Sequence, residues 1–206
     1  MTRLSIIIVE YATLEHLPDS LGAIFRSAVP DDLYEVIVLD NASPTPVTEA
    51  LRERFPRVRW LKARENLGFA GGCAAALEHA RGEIVASVNP DCEVRPGWIG
   101  AVLAPFARDP RVGVVGSKLL YPGTRVLQQV GGRIYSNGRS EHLGAGELDS
   151  GQHDVLRDVQ YVCGAAFAVR RETIQDVGFL SSVYFPAYYE ETELCVRARA
   201  ASWRVI

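Results

Sequence analysis

Through its first half the chain switches repeatedly between two hydrophobic periods, and this switching restricts the fold more than any other feature. Short runs rich in Val and Ile at 4–9, 35–40, 58–62 and 83–88 predict strands. Between the first two, Leu14, Leu17, Leu21, Ile24, Phe25 and Ala28 recur at helical spacing, and 45–55 and 70–81 read as two further helices. Strands alternating with helices over short connections bury their apolar faces best as a mainly parallel sheet with right-handed crossovers. The expected class is therefore α/β: a Rossmann-like, mixed, mainly parallel central sheet with helices on both faces. Beyond residue 92 the pattern loosens. Residues 98–106, 171–177 and 193–201 predict helices, and 112–120 and 159–169 predict strands. Residues 135–158 have no sustained period and are expected to form an exposed, mobile loop. The chain is read as one domain over 1–206, with a nucleotide-binding half at 1–92 and an acceptor or catalytic half at 93–206.

Composition narrows the function classes. With 206 residues and 48% hydrophobic content, a sizeable core is available. A net charge of -3 with acids and bases interspersed provides no basic field, so a nucleic-acid partner is not expected. The apolar run at 4–9 is too short to span a bilayer and has no cleavage pattern of a secretory signal. The expected location is cytoplasmic, with membrane contact limited to a peripheral one at the inner face. Cys73, Cys92, Cys163 and Cys195 form no CxxC pair or zinc-spaced cluster, and are read as reduced, small core residues.

Four segments carry chemistry. The strand Ile84-Val85-Ala86-Ser87-Val88 ends abruptly in Asn89-Pro90-Asp91. There a carboxylate at the carboxyl edge of an open sheet can offer hard oxygens to a divalent cation, and a simple turn uses the same residues. The segment from Asn66 through Gly68, Gly71 and Gly72 starts a small-residue helix that a sugar or diphosphate could approach, though the same residues also let a helix press on a sheet. Asp40, at the end of the second strand, could accept from a base imide or a ribose hydroxyl, while Asn41 and Ser43 before Pro44 also make an ordinary capping turn. Finally, Glu190, Glu191 and Glu193 follow the aromatic run 184–189 at a helix start. The helix dipole favours acids there, and aromatic shielding could raise a carboxyl pKa toward general-base use. A dinucleotide fingerprint is absent after the first strand, where Glu10-Tyr11-Ala12-Thr13 stands, and no Walker A sequence occurs.

In this order the motifs resemble the inverting nucleotide-sugar glycosyltransferases of family 2, which have the GT-A fold, and particularly their rhamnosyltransferase-like members. The resemblance runs from Leu4 to the last residue. It is carried by Leu39-Asp40-Asn41-Ala42-Ser43, the segment from Glu65 to Gly72, Asn89-Pro90-Asp91 as a variant of the D-x-D metal motif, and Gly113 to Leu120. It continues through Val162 to Phe167, the Tyr189 to Leu194 run and Arg197 to Val205. The resemblance implies that Asp40 contacts the nucleotide base, that Asp91 holds Mg2+ or Mn2+ on the diphosphate, and that Glu191 is the base, with Glu190 and Glu193 as alternatives. Asn41, Asn66, Gly68, Gly71 and Asn89 complete the implied donor-binding set. The implied reaction is transfer of a hexose or deoxyhexose from a dTDP- or UDP-sugar to a hydroxyl of a saccharide or lipid-linked acceptor in cell-surface polysaccharide synthesis.

The chain departs from the family pattern at Glu10 and Ala12, at Cys73 and Ala74, and at Glu191, which stands where Asp is usual. It also stops at Ile206, where family members continue to a segment that often carries a metal-proximal His, so the expectation is either a chain truncated at its C-terminus or a shortened, impaired relative. These departures sustain a second reading, a nucleotide-sugar-binding module without transfer. A nucleotidyltransferase ranks last, because residues 10–13 are not the Gly-rich basic loop it needs.

Overall fold

The computed structural model describes residues 3–206. Its elements run β1 (Leu4–Glu10), α1 (Leu17–Phe25), β2 (Tyr34–Asp40), α2 (Glu49–Arg54), β3 (Val58–Lys62), α3 (Gly68–Leu77), β4 (Ile84–Val88) and α4 (Trp98–Arg108). They continue β5 (Val112–Gly116), β6 (Leu119–Leu120), β7 (Leu127–Gln129), β8 (Gly132–Ile134), β9 (Ser140–His142), β10 (Ala166–Arg170), α5 (Arg171–Val177), a 3₁₀ turn at Ser182–Tyr184, α6 (Glu190–Ala200) and β11 (Arg204–Val205).

A seven-stranded sheet in the order β11-β5-β10-β4-β1-β2-β3 forms the centre. Only β10 runs against its neighbours β4 and β5, and the remaining pairs are parallel. The expected mixed, mainly parallel sheet is thus observed, with strands from both halves of the chain. Every residue of β1 is buried, as strands covered on both faces must be. Its alternate side chains feed two cores. Leu4, Ile6 and Ile8 pack with Leu17, Leu21 and Ile24 of α1 and with Ile99 and Leu103 of α4. Ile7 and Val9 pack with Ala70, Cys73 and Ala76 of α3 and with Leu194 and Ala198 of α6.

Helix starts differ from the periodic reading where capping chemistry intervenes. The helix expected over 45–55 begins at Glu49, because Thr48 Oγ1 accepts from Leu51 N at 3.3 Å and Pro44 and Pro46 precede it. The last helix begins three residues before the expected 193, at Glu190.

Three expectations in the second half need correction. Residues 112–120 are two strands. After Gly116 the chain leaves the central sheet, Lys118 turns to pair with Asp149 at 3.0 Å and with Asp154, and Leu119–Leu120 joins β7 in a separate ribbon. Residues 135–158 are not wholly loop. Residues 135–139 close the β8–β9 hairpin, with Tyr135 N donating to Arg139 O at 2.8 Å, and Glu147 meets His153 at 3.0 Å. Of 159–169, only Ala166 onward is strand. The preceding residues pair singly, with Val159 N donating to Val205 O and Gly132 N to Tyr161 O, both at 2.8 Å. In the first and third cases hydrogen-bond partners distant in sequence, which no local period encodes, divide the apolar run.

Candidate active site

The site is built where β1, β2 and β4 end, at the carboxyl edge of the parallel strands. Side chains alternate along β2, so Asp40 points the way of Val38 and Asn41 the way of Leu39. Asp40 is 1% exposed; its Oδ1 accepts from Ser43 N at 2.9 Å, and its Oδ2 has no partner. In register beside it, Glu10 is equally buried and accepts from Thr13 N at 2.9 Å, while Ala12 N donates to Ser43 Oγ at 2.6 Å. Two buried carboxylates thus tie down two adjacent turns, and each turn passes a left-handed alanine, Ala12 at φ 56° and Ala42 at φ 57°. The sequence reading assigned capping to Asn41 and Ser43; here it is the Asp40 carboxylate that closes this turn, accepting from Ser43 N.

Asn41 joins the second turn to α3. Its Nδ2 donates to Asn66 Oδ1 at 3.0 Å and to Gly68 O at 3.1 Å, and its Oδ1 accepts from Leu67 N at 3.0 Å. Asn66 Oδ1 also accepts from Gly68 N at 2.8 Å. Gly68 has φ +70°, and a Cβ there would lie 2.8 Å from the Phe185 ring and from Pro186 O. Only glycine lets the aromatic segment come this close, and Phe69 N donates to Pro186 O at 2.9 Å. Gly72 answers to packing, since a Cβ there would sit 2.7 Å from Val9 Cγ1. The next residue along, Cys73, is fully buried with its thiol pushed up to about 12 by burial, and Cys195 is likewise buried. Cys92 and Cys163 are only half-buried, which corrects the reading of all four cysteines as core.

The Asn89-Pro90-Asp91 tip leaves β4 with Pro90 buried and Asp91 exposed. Asn89 N donates to Ala165 O at 2.8 Å, which places the tip beside residues 163–165. On the other side of that segment lies α6. Tyr188 and Tyr189 are left-handed, at φ 90° and 75°, and this unusual turn sets the phase in which the three glutamates emerge. Glu190 points inward, 2% exposed, with Oε2 unpartnered. Glu193 is held by the Arg197 guanidinium at 2.6 and 2.8 Å. Glu191 remains partly exposed. A Cβ on Gly164 would stand 3.5 Å from its carboxyl carbon, and Thr192 Oγ1 lies 3.2 Å from its Oε1. Burial raises the pKa of both Glu190 and Glu191 above the ordinary carboxylate value.

These contacts run in an open circuit: Asn41 to Asn66 and Gly68, Gly68 to Phe185 and Pro186, the aromatic segment on to Glu190 and Glu191, Glu191 to the face of Gly164, and Ala165 to Asn89. Of the residues singled out in the sequence, Asn41, Asn66, Gly68, Asn89 and Glu191 lie on this circuit, with Asp91 on the exposed tip beside it. Asp40 lies behind it, and Gly71 is turned toward the cap of its own helix, where a Cβ on it would stand 3.0 Å from Leu67 Cβ. Among the described residues no group of three or more His, Cys, Asp or Glu side chains could hold a metal by itself. One exposed carboxylate at a strand tip suits a hard cation whose remaining ligands are substrate oxygens and water, as Mg2+ and Mn2+ prefer. Sequence reasoning singled out neither His142 nor Tyr161, whose ring centroids lie 6.2 Å apart at the start of the segment that leads to Gly164. Both lie in stretches whose surroundings are set by distant pairings.

The fold agrees with that of known proteins. The profile of Glycosyl transferase family 2 matches residues 5–178. An uncharacterised protein, y4gI of Sinorhizobium fredii, is 32% identical over 93% of this chain and 22% of its own length. The N-acetylglucosaminyl-diphospho-decaprenol L-rhamnosyltransferase of Mycobacterium tuberculosis is 27% identical over 97% of this chain and 71% of its own. The mannosyltransferase PcManGT of Pyrobaculum calidifontis, solved with GDP-Man and Mn2+, superposes with a TM-score of 0.70 at 20% identity, over 99% of this chain and 54% of that one. The chain therefore spans only part of each of these proteins, and the last comparison gives the GT-A fold alone. A profile match across most of the chain settles the family: the chain belongs to Glycosyl transferase family 2.

Proposed function

We propose that this chain carries the donor site and the general base of an inverting glycosyltransferase. It would move a hexosyl or deoxyhexosyl group from a nucleoside diphosphate sugar to a hydroxyl of a saccharide or lipid-linked acceptor, in cell-surface polysaccharide synthesis. The observation that carries this reading is the pairing, across residues 163–165, of an exposed metal-suited carboxylate, Asp91, with the partly shielded carboxylate of Glu191. Glu191 is preferred as base because Glu190 is buried and Glu193 is occupied by Arg197.

In the reaction a Glu191 carboxylate oxygen takes the acceptor hydroxyl proton. The acceptor oxygen bonds to the anomeric carbon as the bond from that carbon to the diphosphate breaks, and the electron pair leaves on the nucleoside diphosphate. A single displacement inverts the anomeric configuration. Mg2+ or Mn2+ held by Asp91 would supply charge neutralisation for the departing diphosphate. Asn41, Asn66, Asn89, Gly68 and Gly71 shape the donor side, and Asp40 contributes by fixing the turn at its base end. Residues 1–92 form the nucleotide half of one catalytic unit and 93–206 its acceptor half. No described helix is long and apolar enough to cross a membrane. Action in the cytoplasm at the inner membrane face suits a lipid-linked acceptor.

The test is a thermal-shift panel of UDP, dTDP, GDP and their sugars with and without Mn2+, since a ligand that binds the native state alone raises its stability. A metal-dependent shift with one nucleotide supports the reading and names the base. No shift with any of them overturns it.

A further inference from the structure

Between the end of β5, the β7–β8 junction and the loop 153–157 lies a cleft of about 140 Å³ that the assigned chemistry leaves unused. Glycines shape its walls. A Cβ on Gly116 would stand 2.6 Å from Val162 Cγ1, and one on Gly131 would stand 2.5 Å from Val159 Cγ1, so only glycine lets residues 159–163 approach both segments this closely. Gly144 makes room in the same way for the loop: a Cβ there would lie 2.9 Å from Val130 Cγ2 and 3.4 Å from His153 Nε2. The His153 ring is then fixed by Glu147, whose Oε2 lies 3.0 Å from His153 Nε2 and also accepts from Gln152 Nε2 at 3.1 Å. His153 Nδ1 is buried and finds no partner among the described residues. Lys118 stands in the opposite wall, held by Asp149 at 3.0 Å and by Asp154, while Val155 and Leu156 supply an exposed apolar rim.

Apolar walls with a few fixed polar groups are the make-up of a small-molecule site. The charges here are spent on one another: Asp149, Asp154 and Glu147 balance Lys118, Arg125 and Arg157, so no surplus cation is left to hold a phosphate. A neutral pyranose suits both kinds of wall. Its hydroxyls donate and accept at once, which matches carboxylate oxygens, an ammonium and an imidazole, and its C–H face lies on Val155 and Leu156. With Nε2–H given to Glu147, His153 Nδ1 is an acceptor, and a sugar hydroxyl relieves the cost of its missing partner directly or through a water. The position of the cleft assigns the sugar a role. Cys163 lines it and immediately precedes Gly164, whose Cβ position lies 3.5 Å from the Glu191 carboxyl carbon. We propose that this cleft is an acceptor subsite, which holds one pyranose of a saccharide acceptor while a hydroxyl of the neighbouring unit is presented to Glu191. The acceptor is then a saccharide of at least two units. This deepens the reading of Glu191 as the base and rests on it.

The experiment follows the amide resonances of the whole chain by NMR during titration with methyl α-rhamnoside, N-acetylglucosamine, chitobiose, cellobiose and mannobiose, and with inorganic pyrophosphate as the anionic probe. At least one disaccharide should move the amides of Gly116, Gly131 and Leu156. Leu156→Ser, a change on the exposed rim that leaves the core intact, and His153→Phe, which keeps a ring but removes both nitrogens, should each weaken that binding roughly fivefold or more. Saccharide binding that is unaltered in both variants, or shifts confined to other amides, overturns the proposal. So does a panel in which no sugar moves these amides, and so does pyrophosphate moving them where sugars do not, which would assign the cleft to a phosphate. The nucleotide thermal shift of the parent chain reports separately on the underlying reading. A nucleotide shift with a silent cleft overturns the subsite alone, whereas saccharide binding without any nucleotide shift overturns the acceptor role together with the transferase reading beneath it.

Discussion

Replacing Asn41 tests whether the second turn and the start of α3 are locked together as the structure has them. Asn41 is 1% exposed and makes three side-chain hydrogen bonds of 3.0 to 3.1 Å, two donated and one accepted. In Asn41→Ala the carbonyl of Gly68 and the N–H of Leu67 lose these partners in a largely buried setting, whereas Asn66 Oδ1 keeps Gly68 N. Each stranded group costs about 1–3 kcal/mol, and some relaxation or water entry is expected, so the variant should lose about 2–4 kcal/mol. Asn41→Asp is the sharper probe. It keeps the bond from Leu67 N, but turns both donated bonds into contacts between acceptors, which should cost at least as much as the alanine at neutral pH. The new carboxyl would hold its proton more tightly in the folded state than its unfolded value of about 3.9. A raised folded pKa makes the stability contribution largest below the unfolded value and removes it as pH rises, so the deficit relative to the parent should shrink from pH 7.5 to pH 4.5. Urea unfolding at both pH values, with an unchanged m-value, measures this. An aspartate variant within about 0.5 kcal/mol of the parent at pH 7.5, an uncertainty typical of such comparisons, refutes the assigned direction of the amide. A deficit that grows on acidification does the same.

The other predictions concern chemistry and the far end of the sheet. Glu191→Gln should keep the nucleotide-induced thermal shift while turnover falls at least ~10²-fold, and undiminished turnover would move the base elsewhere. Asp91→Ala should abolish metal-dependent nucleotide binding and leave the melting temperature of the free protein unchanged, because the side chain is exposed at a strand tip; retained metal-dependent binding counts against its role. At the amino end of the sheet, burial acts to raise the Glu35 pKa. Bonds from Arg81 N at 2.7 Å, Ser5 Oγ at 2.7 Å and the Arg81 guanidinium at 2.8 and 3.0 Å outweigh it and hold the carboxyl below its ordinary value. A depressed folded pKa stabilises above the unfolded value and is lost as pH falls, so the gap between the parent and Glu35→Gln should be full at pH 7 and close on acidification below about pH 4. A gap independent of pH would show that charge plays no part there.

Much of the fold was legible in advance because its causes are local. Ile6, Val38 and Ile84 sit in β-branched runs, while Leu17, Leu21 and Ile24 repeat at helical spacing, and these periods alone imply a covered parallel sheet. The order of the motifs, from Asp40 and Asn41 through Asn66 to Asn89, Asp91 and the glutamates, likewise placed most of these polar residues at one sheet edge. The second half was harder to read. Whether 112–120 is one strand depended on Lys118 finding Asp149 and Asp154, and whether 159–165 is strand depended on Val205 and Gly132. Both sets of partners lie far along the chain.

Within the site, the sequence named the acids but not their directions. Consecutive residues point opposite ways on a strand and about a quarter turn apart on a helix, so a motif of adjacent polar residues leaves open which one faces the ligand. At the end of β2 the tertiary structure sends Asp40 back to cap its own turn and Asn41 to clasp α3. At α6 the left-handed pair Tyr188 and Tyr189 fixes the phase, sending Glu190 into the core, Glu193 to Arg197 and Glu191 to the crevice. The same packing brought His142 over Tyr161 from a stretch with no period at all. Local periodicity determined the layers of this protein and the edge at which its polar residues gather. Only the packing of distant segments, through strand pairing, positive-φ turns and buried hydrogen bonds, decided which of those residues meet.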